Sequence, residues 1–268
     1  MTTDRIRPFI KWAGGKRWLC DSDAFQFPSF GGTYIEPFLG GGAAYFHLAP
    51  KKALISDANP KLIETYQVVR DKPSDLFLRL KWYERKHSKE FYYMERERLR
   101  RTPLNRAAQF LYLNRTCWNG LYRENRSGQF NVPMGSKQDI LYADEDFVAI
   151  GRALEGAEII TADFESVISR SQPDDLIFVD PPYTVAHNLN GFVKYNQTIF
   201  SWKDQIRLRD ALVQASSRGS KVVLTQADHE SIEDLYQSIA APRTISRNSK
   251  ISGSLSGRRK TTEALYVF

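Results

Sequence analysis

Five short apolar runs, each closing on an acidic or small polar residue, constrain the fold of this chain more than any other feature. They are Thr33–Glu36, Ala53–Asp57, Ala157–Thr161, Leu176–Asp180 and Lys221–Thr225. Their apolar character is continuous rather than alternating, as in strands covered on both faces by helices. Helical patterns separate most of them, Asp204 to Ala215 among them, so the order predicts an open α/β sheet with right-handed crossovers. A last strand is expected from Ala264 to Phe268. The Ser-, Gly- and basic-rich segment Arg243 to Lys260 before it is expected to be a mobile loop.

Between the second and third runs the texture changes. Residues 81–137 hold 13 Lys and Arg against 5 Glu, a net of +8, whereas the whole chain of 268 residues carries +7 and the remainder therefore −1. Interleaved with that charge are Trp82, Tyr83, Phe91, Tyr92, Tyr93, Phe110, Tyr112, Trp118, Tyr122 and Phe130. Basic side chains hold phosphates and aromatic rings stack on bases, so this stretch reads as a mainly helical, nucleic-acid-facing lobe inserted in the α/β domain. The catalytic domain is then expected at 1–65 and 146–268, and the lobe at 66–145. The plainer reading is a helical insertion with solvated charges and a small aromatic core of its own. Tyr92, Tyr93 and Phe110 are assigned to that core by their helical surroundings, and Arg96, Arg98, Arg100 and Arg101 to a phosphate-facing or solvated face.

Several function classes have nothing to rest on. Cys20 and Cys117 fit neither a disulfide framework nor a zinc cluster, and His47, His87, His187 and His229 lack metal-ligand spacing, so no metal is expected. No stretch approaches the roughly 20 apolar residues of a membrane span, and the N-terminal residues lack a secretory apolar region, which points to a cytoplasmic protein. A Gly-x-x-x-x-Gly-Lys-Ser/Thr loop is absent as well, which leaves an ATPase reading without support.

Open α/β sheets bind ligands where their strands end. The first run passes into Glu36-Pro37-Phe38-Leu39-Gly40-Gly41-Gly42, a glycine turn that serves a structural bend as readily as a ligand loop. The second ends at Asp57, placed either to accept bonds from a ribose diol or to cap the next helix; the glycine loop upstream favours the ribose. At the third, Asp163-Phe164 offers a carboxylate for an adenine amine and a ring to pack on the base, or a helix cap and a core residue.

The fourth run delivers Asp180-Pro181-Pro182-Tyr183. Two prolines stiffen the backbone and remove two amide donors, leaving carbonyl oxygens aimed beyond the strand, and Asp180 adds a second acceptor. An aminopurine's exocyclic nitrogen is a poor nucleophile because its lone pair is delocalised into the ring. Two acceptors on its hydrogens favour a pyramidal nitrogen able to attack a methyl sulfonium. Tyr183 is placed to stack on a base that has left the helix.

With Phe9-Ile10-Lys11-Trp12-Ala13-Gly14-Gly15-Lys16, Asp57-Ala58-Asn59 and Thr161-Ala162-Asp163-Phe164, these motifs stand in an order that resembles the Dam-type (class alpha, D12) DNA adenine methyltransferases over nearly the whole chain. The resemblance implies a Rossmann-like methyltransferase sheet, S-adenosyl-L-methionine as cofactor and double-stranded DNA as partner. It places Trp12, Ala13, Gly14, Lys16, Glu36, Pro37, Phe38, Gly40 and Gly42 at the cofactor, with Asp57 at its ribose, Asp163 and Phe164 at its adenine, and Asp180 serving both cofactor and target. The family's usual target is GATC, and Lys11, Trp118, Asn119, Leu121, Arg123 and Pro133 fall on its recognition positions, with Asn125 alongside. Trp118 replaces a more usual Tyr, and Ser136 stands where an Arg is common, with Lys137 next to it. A methyltransferase acting on RNA or a protein amide shares this chemistry but more often carries Asn before the proline pair. A catalytically silent DNA-binding regulator would not need the intact motifs.

Overall fold

All five apolar runs become strands: β1 Tyr34–Glu36, β2 Ala53–Asp57, β3 Ala157–Thr161, β4 Leu176–Val179 and β5 Lys221–Ala227. Two more, β6 Arg243–Asn248 and β7 Lys260–Val267, complete a seven-stranded sheet ordered β3-β2-β1-β4-β5-β7-β6. The computed structural model describes residues 6–23, 25–125, 127–137, 139–186, 200–248 and 260–268. Strands β1, β2, β4 and β5 pair in parallel, Ile35 opposite both Leu54 and Ile177, and Ile177 opposite Val222. Every residue of β1 and β4 is buried, which accounts for the unbroken apolar character of β4, while β1 ends on a buried Glu36. Strand order reverses at the β1/β4 junction, the place where an open sheet of this Rossmann-like kind leaves a crevice for a ligand.

The expected loop at 243–260 requires correction. Arg243–Asn248 is a strand, paired antiparallel with β7, Thr244 opposite Ala264 and Ile245 opposite Glu263. As the outermost strand it exposes Arg243, Thr244 and Ser246, so its composition is that of a surface rather than a core. The rest of that segment lies outside the described residues, as does His187.

Among the described residues there are ten α-helices, α1 Arg17–Cys20, α2 Ala43–Leu48, α3 Pro60–Asp71, α4 Pro73–Lys86, α5 Lys89–Glu97, α6 Pro103–Thr116, α7 Phe147–Leu154, α8 Phe164–Ile168, α9 Trp202–Ser217 and α10 Glu230–Tyr236, and a short 3-10 turn at Trp118–Gly120. Their starts are written in capping residues. Asn59, Ser88, Thr102 and Asp146 each accept a backbone N–H at a helix start, and Ser201 with Asp204 forms a reciprocal capping box. Among the described residues, none of the helices is long and apolar enough to cross a membrane.

The chain divides into two compact units, Met1–Arg17 with Gly40–Ala49 and Asp57–Thr161, and Trp18–Leu39 with Pro50–Ser56 and Ala162–Phe268. Residues 66–145 lie wholly in the first. There α3 to α6 enclose an aromatic core in which Tyr83 stacks on Tyr112 with centroids 4.7 Å apart and Tyr92 is fully buried. The Tyr83 hydroxyl donates to Glu95, and Arg100 grips the same buried carboxylate at 2.7 and 2.6 Å. Arg100 is therefore a core-closing residue rather than part of a free basic face. Most of the lobe's aromatics are thus committed to its own packing.

Candidate active site and nucleic-acid face

In the second unit the residues after β4 are fixed from behind by β5 and β7. Thr225 of β5 donates its hydroxyl to Asp180 Oδ1 at 2.8 Å, and the Tyr183 hydroxyl donates to Glu263 of β7 at 2.7 Å. Burial, then the Asp180 and Glu263 carboxylates, hold the Tyr183 phenol well above its usual pKa, so it stays a neutral donor. Pro181 is buried, while Pro182 and Tyr183 are half-buried. Behind them Gln205 Nε2 donates to the Thr184 carbonyl at 3.2 Å and exchanges side-chain bonds with Gln226. A backbone turn at the end of a parallel strand is thereby tied to three neighbouring elements, an arrangement that holds acceptors still.

The same unit carries an aromatic set. Phe38, just past β1, stacks on Phe164 with centroids 5.4 Å apart and meets Phe200 edge-on at 5.6 Å. Asp163 caps α8 through the Glu165 N–H at 3.0 Å and pairs with Arg207 at 2.9 Å; that guanidinium also lies 4.9 Å above the Phe164 ring. The cap reading of Asp163 is thus realised, on a half-exposed carboxylate. Glu36 is buried and accepts the Tyr34 hydroxyl at 2.8 Å, while the Pro37 carbonyl accepts from Ser56.

In the first unit Asp57 ends β2, but it does not cap α3; Asn59 does. Asp57 Oδ2 instead accepts the Gly40 N–H and Oδ1 the Asn59 N–H, both at 3.0 Å. Burial pushes its carboxyl above the usual range, opposed by backbone bonds from Asn59, Gly40 and Ala58. Three backbone donors on two carboxylate oxygens leave lone-pair capacity for a further hydroxyl. Gly40 sits at φ +48°, and a Cβ there would lie 2.6 Å from Trp12 Cδ1, so only glycine lets the loop close on the indole. Gly42, also left-handed, begins α2. Within the Trp12–Lys16 turn Ala13 and Gly14 are exposed, and Lys16 is buried with its ammonium on the Gly14 carbonyl at 2.7 Å.

The stretch 117–134 folds back on itself. Trp118 N–H reaches the Pro133 carbonyl, and Asn125 N–H the Gln129 carbonyl, both at 2.9 Å. Trp118, Asn119, Arg123, Asn125 and Pro133 are exposed, Leu121 is half-buried, and Asn119 adopts φ 54°. Arg123 rests on Asn131, its Nε 2.8 Å from Oδ1. Asn125 is committed to the turn, its Oδ1 accepting from Ser127 and Gln129 and its Nδ2 donating to the Gln129 side chain. Lys11 is threaded beneath: a Cβ at Gly120, φ +65°, would meet its Cδ at 2.6 Å, and its ammonium donates to the Arg115 carbonyl at 2.9 Å. Burial first, then Lys137 and Arg115, lower its pKa.

Residues 12–251 match the family model for the D12 class N6 adenine-specific DNA methyltransferases. The chain belongs to that family. It is 36% identical over 264 residues to the Type II methyltransferase M1.LlaDCHI of Lactococcus lactis subsp. cremoris, covering 93% of each chain. The DNA adenine methylase of Vibrio cholerae serotype O1 is 31% identical over 272 residues, with 98% of this chain and 96% of that one covered. A third relative, the DNA N-6-adenine-methyltransferase of Escherichia phage P1, is 35% identical over 234 residues, which are 86% of this chain and 31% of the phage protein. The protein is an adenine-specific DNA methyltransferase, with a methyl donor of the S-adenosylmethionine type.

Several residues that shape this methyltransferase escaped the sequence reading. Thr225 and Glu263 lie 45 and 80 residues from the groups they hold, and nothing local marks them. Arg115, counted among the basic residues, is fully buried, its guanidinium on Glu145 at 2.7 Å and on the carbonyls of Ile140 and Phe9 at 2.6 Å. Asn114 is buried as well, its Oδ1 accepting the Lys11 N–H at 2.9 Å and its Nδ2 donating to the Lys11 carbonyl at 2.7 Å. Among the described residues, no group of three or more His, Cys, Asp and Glu is placed to hold a metal.

Proposed function

We propose that this enzyme methylates the exocyclic amine of an adenine swung out of duplex DNA, within GATC, using S-adenosyl-L-methionine and no metal, in the cytoplasm. The carrying observation is the Asp180–Tyr183 turn, whose carboxylate is oriented by Thr225 and whose tyrosine is anchored by Glu263. The donor, when bound, supplies an electrophilic methyl on a sulfonium. Asp180 and the Pro181 carbonyl would accept the two amine hydrogens of the target and so raise the nucleophilicity of its nitrogen, and the one surplus proton left on that nitrogen after transfer would leave to solvent. Pro182 keeps the turn stiff, and Tyr183 stacks on the extruded base.

Trp12, Ala13, Gly14 and Lys16 are assigned to the donor. Glu36, Pro37, Phe38, Gly40 and Gly42 line the turn after β1, Asp57 takes the ribose diol, Asp163 with Phe164 takes the adenine, and Asp180 completes the set. The carboxylate lone pairs on Asp57 and the aromatic faces at Phe38 and Phe164 suit an adenosine. Residues 66–145 serve as the target-recognition lobe. There Arg123 reads a guanine edge, Leu121 or Pro133 touches a thymine methyl, an Asn, Asn119 or Asn125, reads adenine, Trp118 fills the gap left by the extruded base, and Lys11 supports the contact.

The test is transfer of labelled methyl from S-adenosyl-L-methionine to duplexes bearing GATC, with each adenine replaced in turn, and to RNA. Label lost only on replacing the GATC adenine is expected. Label on other duplexes would overturn the target, and label on RNA alone would overturn the substrate.

A further inference from the structure

A ring of contacts starts and ends on the five residues Asp57 to Lys61, and it runs through both the proposed donor loop and the proposed reading hairpin. Asp57 holds the Gly40 N–H at 3.0 Å, and Gly40 is packed against Trp12 so closely that a Cβ would clash at 2.6 Å. Trp12 stacks on Tyr122 with centroids 5.6 Å apart and planes 23° from parallel. The Tyr122 hydroxyl donates to Glu124, whose same oxygen accepts the Lys61 ammonium. Lys61 also donates to the Gly128 carbonyl at 2.9 Å, pinning the tip of the hairpin, and it belongs to the first turn of α3, two residues after the Asn59 cap.

We propose that Glu124 is a specificity-positioning residue: by bridging Tyr122 and Lys61 it couples the loop that carries Trp12 to the hairpin that carries Arg123, so that methyl-donor binding sharpens target reading. The inference rests on the donor and reading roles proposed above. The physical reason lies in how the ring is built. Trp12 is in contact with both Tyr122 and Gly40, so a ligand that fixes the indole also fixes Tyr122 and, through Glu124, the hairpin arm bearing Arg123. Lys61 is half-exposed, and a pair of that kind adds little to folding. Its effect belongs to the coupling between sites, which linkage requires to be reciprocal.

The experiment uses the full chain and S-adenosylhomocysteine, the demethylated product, as donor-site probe. Affinity for a duplex the enzyme methylates, and for the same duplex with one base pair changed, is measured with and without the probe, in wild type, Glu124→Gln, Tyr122→Phe and Lys61→Met. In wild type the probe is expected to raise discrimination between the duplexes by about tenfold, within the usual range for coupled sites. In all three variants that factor falls towards one, while probe and duplex each still bind alone. A factor unchanged in the variants, or absent from wild type that binds both ligands, overturns the coupling. Failure of wild type to bind the probe at all overturns the donor-site reading itself, and is distinguished by calorimetry with the probe alone.

Discussion

The turn after β4 and the hairpin at 117–134 are both short loops, yet they are built in opposite ways. The turn is stiffened by two prolines and tied by buried or half-buried side chains to β5, β7 and α9. The hairpin is held by its own backbone bonds and leaves Trp118, Asn119, Arg123 and Pro133 in solvent. Chemistry on an amine requires acceptors that do not rearrange as charge develops, whereas reading a base requires donors that still have bonds to make. The contrast teaches which residues here are spent on geometry and which are left for a partner.

The contrast is broken most sharply at Asp180. Asp180→Ala is expected to lower single-turnover methyl transfer by at least about 10³-fold, since the role proposed for Asp180 is that of an acceptor on the reacting nitrogen. Residual transfer within tenfold of wild type would move the chemistry elsewhere. Next in size, Arg115→Met strands the buried Glu145 carboxylate, and is expected to cost about 3–5 kcal/mol of folding stability in denaturant unfolding. An effect under 1 kcal/mol would mean that the pair is dispensable. Arg123→Ala is expected to relax discrimination at one base pair by about 1–3 kcal/mol without lowering transfer on the best substrate to background. A uniform loss across sequences would make Arg123 a phosphate contact. The smallest effect is expected from Thr225→Val, which keeps the shape and removes the bond to Asp180. About 1–2 kcal/mol, roughly tenfold in kcat, should be lost, with KM for DNA nearly unchanged. A change confined to KM would show that Thr225 acts on binding.

How much of this was legible in the sequence follows the same division. β2 and β3 begin and end where the apolar runs do, because strands buried in a parallel sheet have no polar face to confuse the pattern. β6 was hidden because Thr244, Ile245 and Ser246 sit on an outer strand half in water. Motif order identified the family, since the turn after β4 is one contiguous stretch of chain. Thr225 and Glu263 were not legible, because a hydrogen bond spanning 45 or 80 residues leaves no local trace. Charge counting treated Arg100 and Arg115 as surface, and both are instead locked to glutamates inside the first unit. Asp57 is the instructive middle case: its position at a strand end was readable, but only the presence of Asn59 as the true cap frees its carboxylate for another role.

The most direct test of the separation between chemistry and reading is the duplex affinity of the Asp180→Ala protein, measured on a methylatable duplex and on the same duplex with one base pair changed. The account predicts discrimination equal to that of wild type within about twofold, alongside lost transfer, because the hairpin is held by backbone bonds of its own. Discrimination lost together with transfer would contradict it, and would make the turn after β4 part of how this enzyme reads DNA.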